Sequence, residues 1–157
     1  MSDYQPVQLF IEKLATLEAG ERARLKRCAG QTLAESRENA LFYRLLPKGV
    51  PEYREEIYFL VATLYPMAEN TTDGDFGDSL RNARDEKNHT GIDRRVQALL
   101  DADESQLSFR LRQAVHYLYS RPERGKVNWQ KLLEDLHGWD SQEHYVQRRW
   151  ARNYFAK

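Results

Sequence analysis

Apolar residues recur along this 157-residue chain at intervals of three and four and almost nowhere alternate, a spacing that predicts helices throughout. Val7, Phe10, Ile11, Leu14 and Leu17 form the first stripe, entered at Pro6, where a first-turn proline is tolerated, and stopped at Gly20. A short basic helix over Glu21–Cys28 and a third helix over Leu33–Leu46 follow, the third ended by Pro47 and Gly49. Pro51 opens a fourth over EYREEIYFLVATLY, closed by Pro66. Its apolar half, Ile57–Tyr65, has the β-propensity of a buried strand. The acidic lead-in Glu55–Glu56 and the length between the two prolines favour a buried helix.

Glu69–Asp75 is polar, acidic and glycine-punctuated and reads as the longest loop, loose by composition. Helices are predicted over Gly77–Lys87, with Asp78 or Ser79 in the first turn, and over Ile92–Asp101. A longer one runs to Tyr119, capped by Asp103 or Ser105, with Leu107, Leu111, Ala114, Val115 and Leu118 on its buried face. In the terminal stretch, Trp129, Leu132, Leu133 and Leu136 share a face between a capping Asn128 and a terminating Gly138. Val146, Trp150 and Tyr154 form the inner face of a last helix, which places Arg148, Arg149 and Arg152 together on the opposite, outward face. No strand is needed. The predicted fold is all-α, a two-lobed helical bundle with an N-terminal lobe over 1–88 and a basic C-terminal bundle over 89–157.

The length suits one domain or two small lobes sharing an interface, and a core of this size needs no disulfide or metal. The single Cys28 has no partner for an internal bridge. With no signal-type N-terminus and no long uncharged apolar run, the expected location is the cytoplasm, with no membrane contact. Net charge is zero, yet residues 1–88 carry 12 Lys and Arg against 15 Asp and Glu, and residues 89–157 carry 12 against 9, so the C-terminal part is the basic one. Arginines outnumber lysines 17 to 7, which favours planar, bidentate contacts to phosphate or carboxylate.

Three other chemistries tempt and then lose support. Phe76–Leu80 spells FGDSL, similar to the nucleophile block of the GDSL esterases, but ENTTDGD precedes it instead of a buried strand. Asp140 and His144 are also one residue too far apart for that family's Asp-x-x-His pairing. His89, His116, His137 and His144 form no His-x-x-x-His pair, and Glu55–Glu56 and Glu134–Asp135 read as helix-face acids, so no metal site is expected. No phosphate loop or dinucleotide glycine motif is present, and neither a catalytic residue nor a cofactor is assigned.

The blocks FYRLLP (42–47), GDSLRNAR (77–84), DRRVQALLDAD (93–103), LRQAVHYL (111–118), VNWQKLLEDLHGWD and VQRRWARNYF, in that order, resemble the CasB family, the small subunit of the type I-E CRISPR surveillance complex Cascade. The resemblance covers most of the chain and is strongest from Asp93 onward. It implies an all-helical, two-lobed, non-catalytic subunit that enters Cascade as a pair of copies, beside the large subunit and the crRNA-bearing backbone. The basic surface it implies holds target duplex and the displaced single-stranded non-target strand. R-loop formation is a near-balanced exchange of duplex for heteroduplex, so a few phosphate contacts tip it without reading sequence.

Carried onto this chain, that role falls to Lys26, Arg27, Arg44, Arg81, Arg84, Arg94, Arg95, Arg110, Arg112, Arg148, Arg149 and Arg152. Some of these must instead pack between lobes or copies. Arg110 and Arg112 project about 160° apart on one helix and are the pair most expected to split. The acidic N-terminal half keeps a second reading open, a helical adaptor whose charges meet a protein partner with no direct nucleic-acid contact.

Overall fold

The computed structural model describes residues 4–156, so the outermost residues of both predicted lobes, 1–3 and 157, lie outside the described residues. Helix α1 spans Tyr4–Ala15, α2 Ala19–Arg27, α3 Asn39–Leu45 and α4 Glu55–Leu64, the last between 3-10 turns at Glu52–Arg54 and Tyr65–Met67. Then follow α5 Phe76–Ala83, α6 Thr90–Leu100, α7 Glu104–Tyr119, α8 Trp129–Leu136 and α9 Tyr145–Phe155. The all-α expectation holds, and the only extended pairing among the described residues is an isolated parallel bridge between Asn70 and Val127.

Local hydrogen bonds explain where the elements begin and where the sequence reading of their limits fails. Thr16 turns its hydroxyl back onto Lys13 O (2.7 Å) as α1 ends, and the Glu18 amide donates to Glu21 Oε1 (3.3 Å) as α2 begins. Gly20 therefore lies inside α2 and is not a stop signal. The predicted helix over 33–46 shrinks to Asn39–Leu45. Glu35 accepts from the Thr32 amide (2.8 Å) and Ser36 from the Glu38 amide (2.9 Å), which gives the backbone a local alternative to helical bonding. Asp75, placed in the loop by composition, is the N-cap of α5 and accepts from the Asp78 amide, while Asp78 Oδ2 accepts from the Asp75 amide, both at 3.0 Å. Asp103 caps α7 and Asn128 caps α8, as their positions predict.

The loop before α5 is pinned, not loose. Thr71 N donates to Val127 O and Val127 N to Glu69 O, each at 2.9 Å, and Asn128 Nδ2 reaches Gly74 O at 3.0 Å. One buried cluster takes in residues from α1 to α9, on both sides of position 88. Phe10, Phe42, Tyr58 and Phe59 meet edge to face in one region, and Phe76, Trp139 and Trp150 pack ring on ring in another. Each tryptophan buries its ring and still satisfies its indole N–H, on Ala68 O, Ala102 O and Asp135 Oδ2 respectively for Trp129, Trp139 and Trp150. The tightest helix pair is α5 on α9. A Cβ on Gly77 would lie 2.5 Å from Trp150 O and 2.8 Å from its Cα, so only glycine permits the approach. Among the described residues, no helix is long and apolar enough to cross a membrane.

Candidate nucleic-acid interface

The predicted basic residues separate into those held inside the fold and those offered to solvent. Arg149 belongs to the first group, and the expectation of three outward guanidinium groups on α9 fails there. Its Nε donates to Asp75 Oδ2 at 3.1 Å and its Nη2 to Asp135 Oδ1, two carboxylates that are each only 4% exposed. Asn153 Nδ2 adds a bond to Asp75 (2.8 Å) and Trp150 Nε1 one to Asp135 (2.9 Å). Burial works against the charge on Arg149, but Asp135 and Asp75 outweigh it and hold its pKa above the ordinary arginine value. Asp135 is thus a buried ligand of arginine and not the helix-face acid its neighbours suggest.

A second clasp takes Arg84 and Arg81. Arg84 bonds Asp93 in a fork, Nε to Oδ1 and Nη2 to Oδ2, both at 3.2 Å, and its guanidinium lies 5.6 Å from the Tyr154 ring centre. Tyr154 OH donates to Asp93 Oδ1 at 2.6 Å and His89 Nδ1 lies 2.7 Å from Oδ2. Partial burial would raise the Asp93 pKa, yet the bonds from Tyr154, His89 and Arg84 together hold it below the usual carboxylate range. Burial and the Asp93 contact push the Tyr154 hydroxyl well above its ordinary value. Arg81 Nη1 donates to Tyr154 O (2.9 Å), serving a carbonyl in the last turn of α9. Arg81, Arg84 and Arg149 are therefore joints between α5, α6, α8 and α9.

Arg27, Arg94, Arg95, Arg148 and Arg152 are exposed, and Arg44 is exposed with a long 3.8 Å contact to Glu21. Arg95 stands at a shallow groove of about 400 Å³ along the outer face of α7, lined also by Phe109, Arg112, Gln113, His116, Tyr117 and Ser120. Positions 109, 112, 113, 116 and 120 recur at three and four, so one helical face supplies most of the groove while α6 supplies Arg95. Arg112 is anchored at its rim, with Nη1 3.5 Å from Ala29 O. The chain passes there as Gly30, whose φ of +94° and whose lack of a Cβ leave room for the guanidinium. Arg110 does not line the groove but borders it. It reaches Gln113 Oε1 at 3.2 Å and lies 5.3 Å from the Phe109 ring centre.

Cations accompany the rings on either side of this face. Lys26 from α2 lies 4.4 Å from the Tyr119 ring centre and donates to its hydroxyl at 3.0 Å, and Arg121 lies 5.0 Å from the Tyr117 ring centre. None of the residues lining the groove is a carboxylate, whereas four other depressions on the described surface each carry at least one. A polyanion meets attraction here with no acid to repel it. The sequence reading missed Phe109, His116 and Tyr119. The polar face of α7, read for aromatic side chains at helical spacing beside cations, carries the signal. The FGDSL serine offers nothing comparable, because Ser79 is buried within α5 where the helix meets α9. Among the described residues no group of three or more His, Cys, Asp or Glu is placed to hold a metal ion.

The family model for the CRISPR-associated protein Cse2 matches residues 21–155. The chain belongs to the Cse2 family. It is 40% identical over 103 residues to the CRISPR-associated protein Cse2 of Thermus thermophilus. That match covers 64% of this chain and 57% of the relative, so it spans little more than half of the relative's length. The crystal structure of CasB from Thermus thermophilus superposes with a TM-score of 0.79 at 32% identity over the whole of both chains. A chain of a solved CRISPR RNA-guided surveillance complex has the same fold, with a TM-score of 0.78 at 23% identity, covering 98% of this chain and 93% of that one. The CasB resemblance of the ordered sequence blocks and the Cse2 match thus point to one family. Within this Cse2-family chain, the groove on α7 is a depression that carries Arg95 and Arg112 in its lining and no carboxylate.

Proposed function

We propose that this chain is a non-catalytic subunit of a type I-E CRISPR surveillance complex that holds DNA without reading its sequence and so stabilises the R-loop. The observation that carries the reading is the α7 groove, where Arg95 and Arg112 converge with no carboxylate in the lining, in a chain of the Cse2 family. Lys26 and Arg27 extend the cationic surface from α2, and Arg94, Arg148, Arg152 and Arg44 are further exposed phosphate contacts. The displaced non-target strand and the target duplex are its ligands. A second copy of itself, the large subunit and the crRNA-bearing backbone are its protein partners, in the cytoplasm. Residues 1–88 are read as an N-terminal helical lobe and 89–157 as a basic C-terminal one, joined through the core they share.

The partners enter the reading by family likeness, and the phosphate contacts enter by physics. Each phosphate neutralised releases counterions, so binding is salt-sensitive and sequence-tolerant. The test is R-loop lifetime on a matched target. A complex assembled with the Arg95→Ala/Arg112→Ala chain should incorporate it normally and lose its R-loop faster than the wild-type complex. Equal lifetimes with equal incorporation would sink the DNA-holding role.

A specific observation favours protein contact elsewhere on the molecule. Glu52, Glu55 and Glu56 border a depression with Tyr43 and the strongly exposed Tyr53, on the opposite electrostatic footing from α7. This adaptor surface fits a basic partner subunit and is compatible with DNA at the groove.

A further inference from the structure

We infer that the outer face of α7 takes single-stranded nucleic acid by its bases as well as its phosphates, with Phe109 in the groove and Tyr119 beside it as stacking platforms. The inference rests on the strand-holding reading above and narrows it at this face: of the ligands named there, the α7 face takes the displaced single strand, whose bases are unpaired and free to turn toward the protein, and leaves the duplex to the other exposed cations. Phe109 and Tyr119 are large rings left 51% and 48% exposed on the same helix as the groove cations. Tyr43, Tyr53, Tyr145 and Phe155 are exposed as well, but Phe109 lines the acid-free groove and Tyr119 stands beside it on the same helix, whereas Tyr43 and Tyr53 border the acidic depression with Glu52, Glu55 and Glu56.

Each of the two rings has a cation within reach of its π face, Arg110 for Phe109 and Lys26 for Tyr119. A cation on one side of a ring holds it in place and leaves the other side for a base. Ten residues of helix separate the platforms, about 15 Å along the axis at 1.5 Å per residue. Arg112 and His116 stand between them in sequence on α7, positioned for the phosphates of a strand lying along the helix. Aromatic faces interleaved with cations along one track are the pattern by which sequence-tolerant single-strand binders work, because every base has a π face. Paired bases inside a duplex present no such face, so the groove discriminates by strandedness.

The experiment uses the full chain and two labelled oligomers of equal length and charge, one of deoxythymidine and one with abasic sugars on the same phosphate backbone. Anisotropy should give the thymidine strand the tighter binding. Phe109→Ala and Tyr119→Ala should each weaken thymidine binding by roughly fivefold or more. Both should leave abasic binding and the salt slope unchanged, since no charge is removed. Phe109→Tyr and Tyr119→Phe should retain wild-type affinity. Both positions are exposed, so far-UV circular dichroism of all four variants should match the wild type. Equal, salt-sensitive binding of the two oligomers would overturn stacking and leave the strand-holding reading standing. Failure of both to bind at low salt would overturn the two together.

Discussion

Replacing Arg149 with alanine removes a side chain that joins two buried carboxylates from different elements. Asp75 belongs to the loop entering α5 and Asp135 to α8, each 4% exposed, while Arg149 itself is 35% exposed on α9. Stripping one partner from a buried ion pair costs about 3–5 kcal/mol because the remaining charge stays desolvated. Two factors place this case at the low end. Asp75 keeps the Asn153 amide and the Asp78 N–H, Asp135 keeps the Trp150 indole and a 3.5 Å contact to Lys131, and water already reaches the arginine. About 3 kcal/mol is expected, which in a domain of this size lowers Tm by roughly 6–12 °C.

The assay is thermal and urea denaturation followed by far-UV circular dichroism at neutral pH, with Arg148→Ala as the exposed control expected within about 0.5 kcal/mol of wild type. Arg149→Lys should recover only part of the loss, since an ammonium cannot present Nε and Nη2 to two acids at once. A melting temperature for Arg149→Ala within about 2 °C of wild type, or equal to that of Arg148→Ala, would refute the reasoning. The same argument bears on function. Removing Arg148, Arg149 and Arg152 together would confuse lost DNA contact with a loosened α9, so the informative α9 variant is Arg148→Ala/Arg152→Ala.

Two further expectations follow from the packing and the second clasp. Gly77→Ala should destabilise by about 1–3 kcal/mol, because its new Cβ meets the α9 backbone at Trp150, and α5 must back away; a neutral result in denaturant melts would mean that the α5–α9 spacing is softer than described. Asp93 has a depressed folded-state pKa, so its contribution to stability is present above the unfolded carboxylate value near pH 4 and is lost as pH falls through the lower folded value. The Tm gap between wild type and Asp93→Asn should accordingly narrow from about pH 5 downward, and a gap constant from about pH 6 to 3 would contradict the assignment.

Much of the fold was legible because it is written in local pattern. The stripe Trp129, Leu132, Leu133 and Leu136 is buried as its spacing predicts, Asn128 caps α8 through the Lys131 amide (3.0 Å), and the apolar run after Glu55–Glu56 is helical. What the sequence reading missed depends on partners distant along the chain. Arg149 lies at the flank of α9, and nothing within that helix announces that Asp75 and Asp135, 74 and 14 residues away, converge on it. Arg81 likewise serves a carbonyl 73 residues away. The loop over 69–75 is polar in composition, yet its backbone pairs with Val127, an interaction that composition does not encode. Of the candidate site, single arginines were visible, but their convergence with Phe109 and Tyr119 needed α2, α6 and α7 to be placed side by side.

The central claim is that the acid-free face of α7 holds nucleic acid through phosphate contacts. The most direct measurement is anisotropy of a labelled single strand against the full chain over a salt series, for wild type and for Arg95→Ala/Arg112→Ala. Wild type should bind with affinity that falls steeply with salt, and the double variant should bind more weakly with a slope shallower by roughly 1–2, about 0.7–0.9 for each phosphate contact removed. An unchanged affinity and slope in a variant that remains folded would contradict the account.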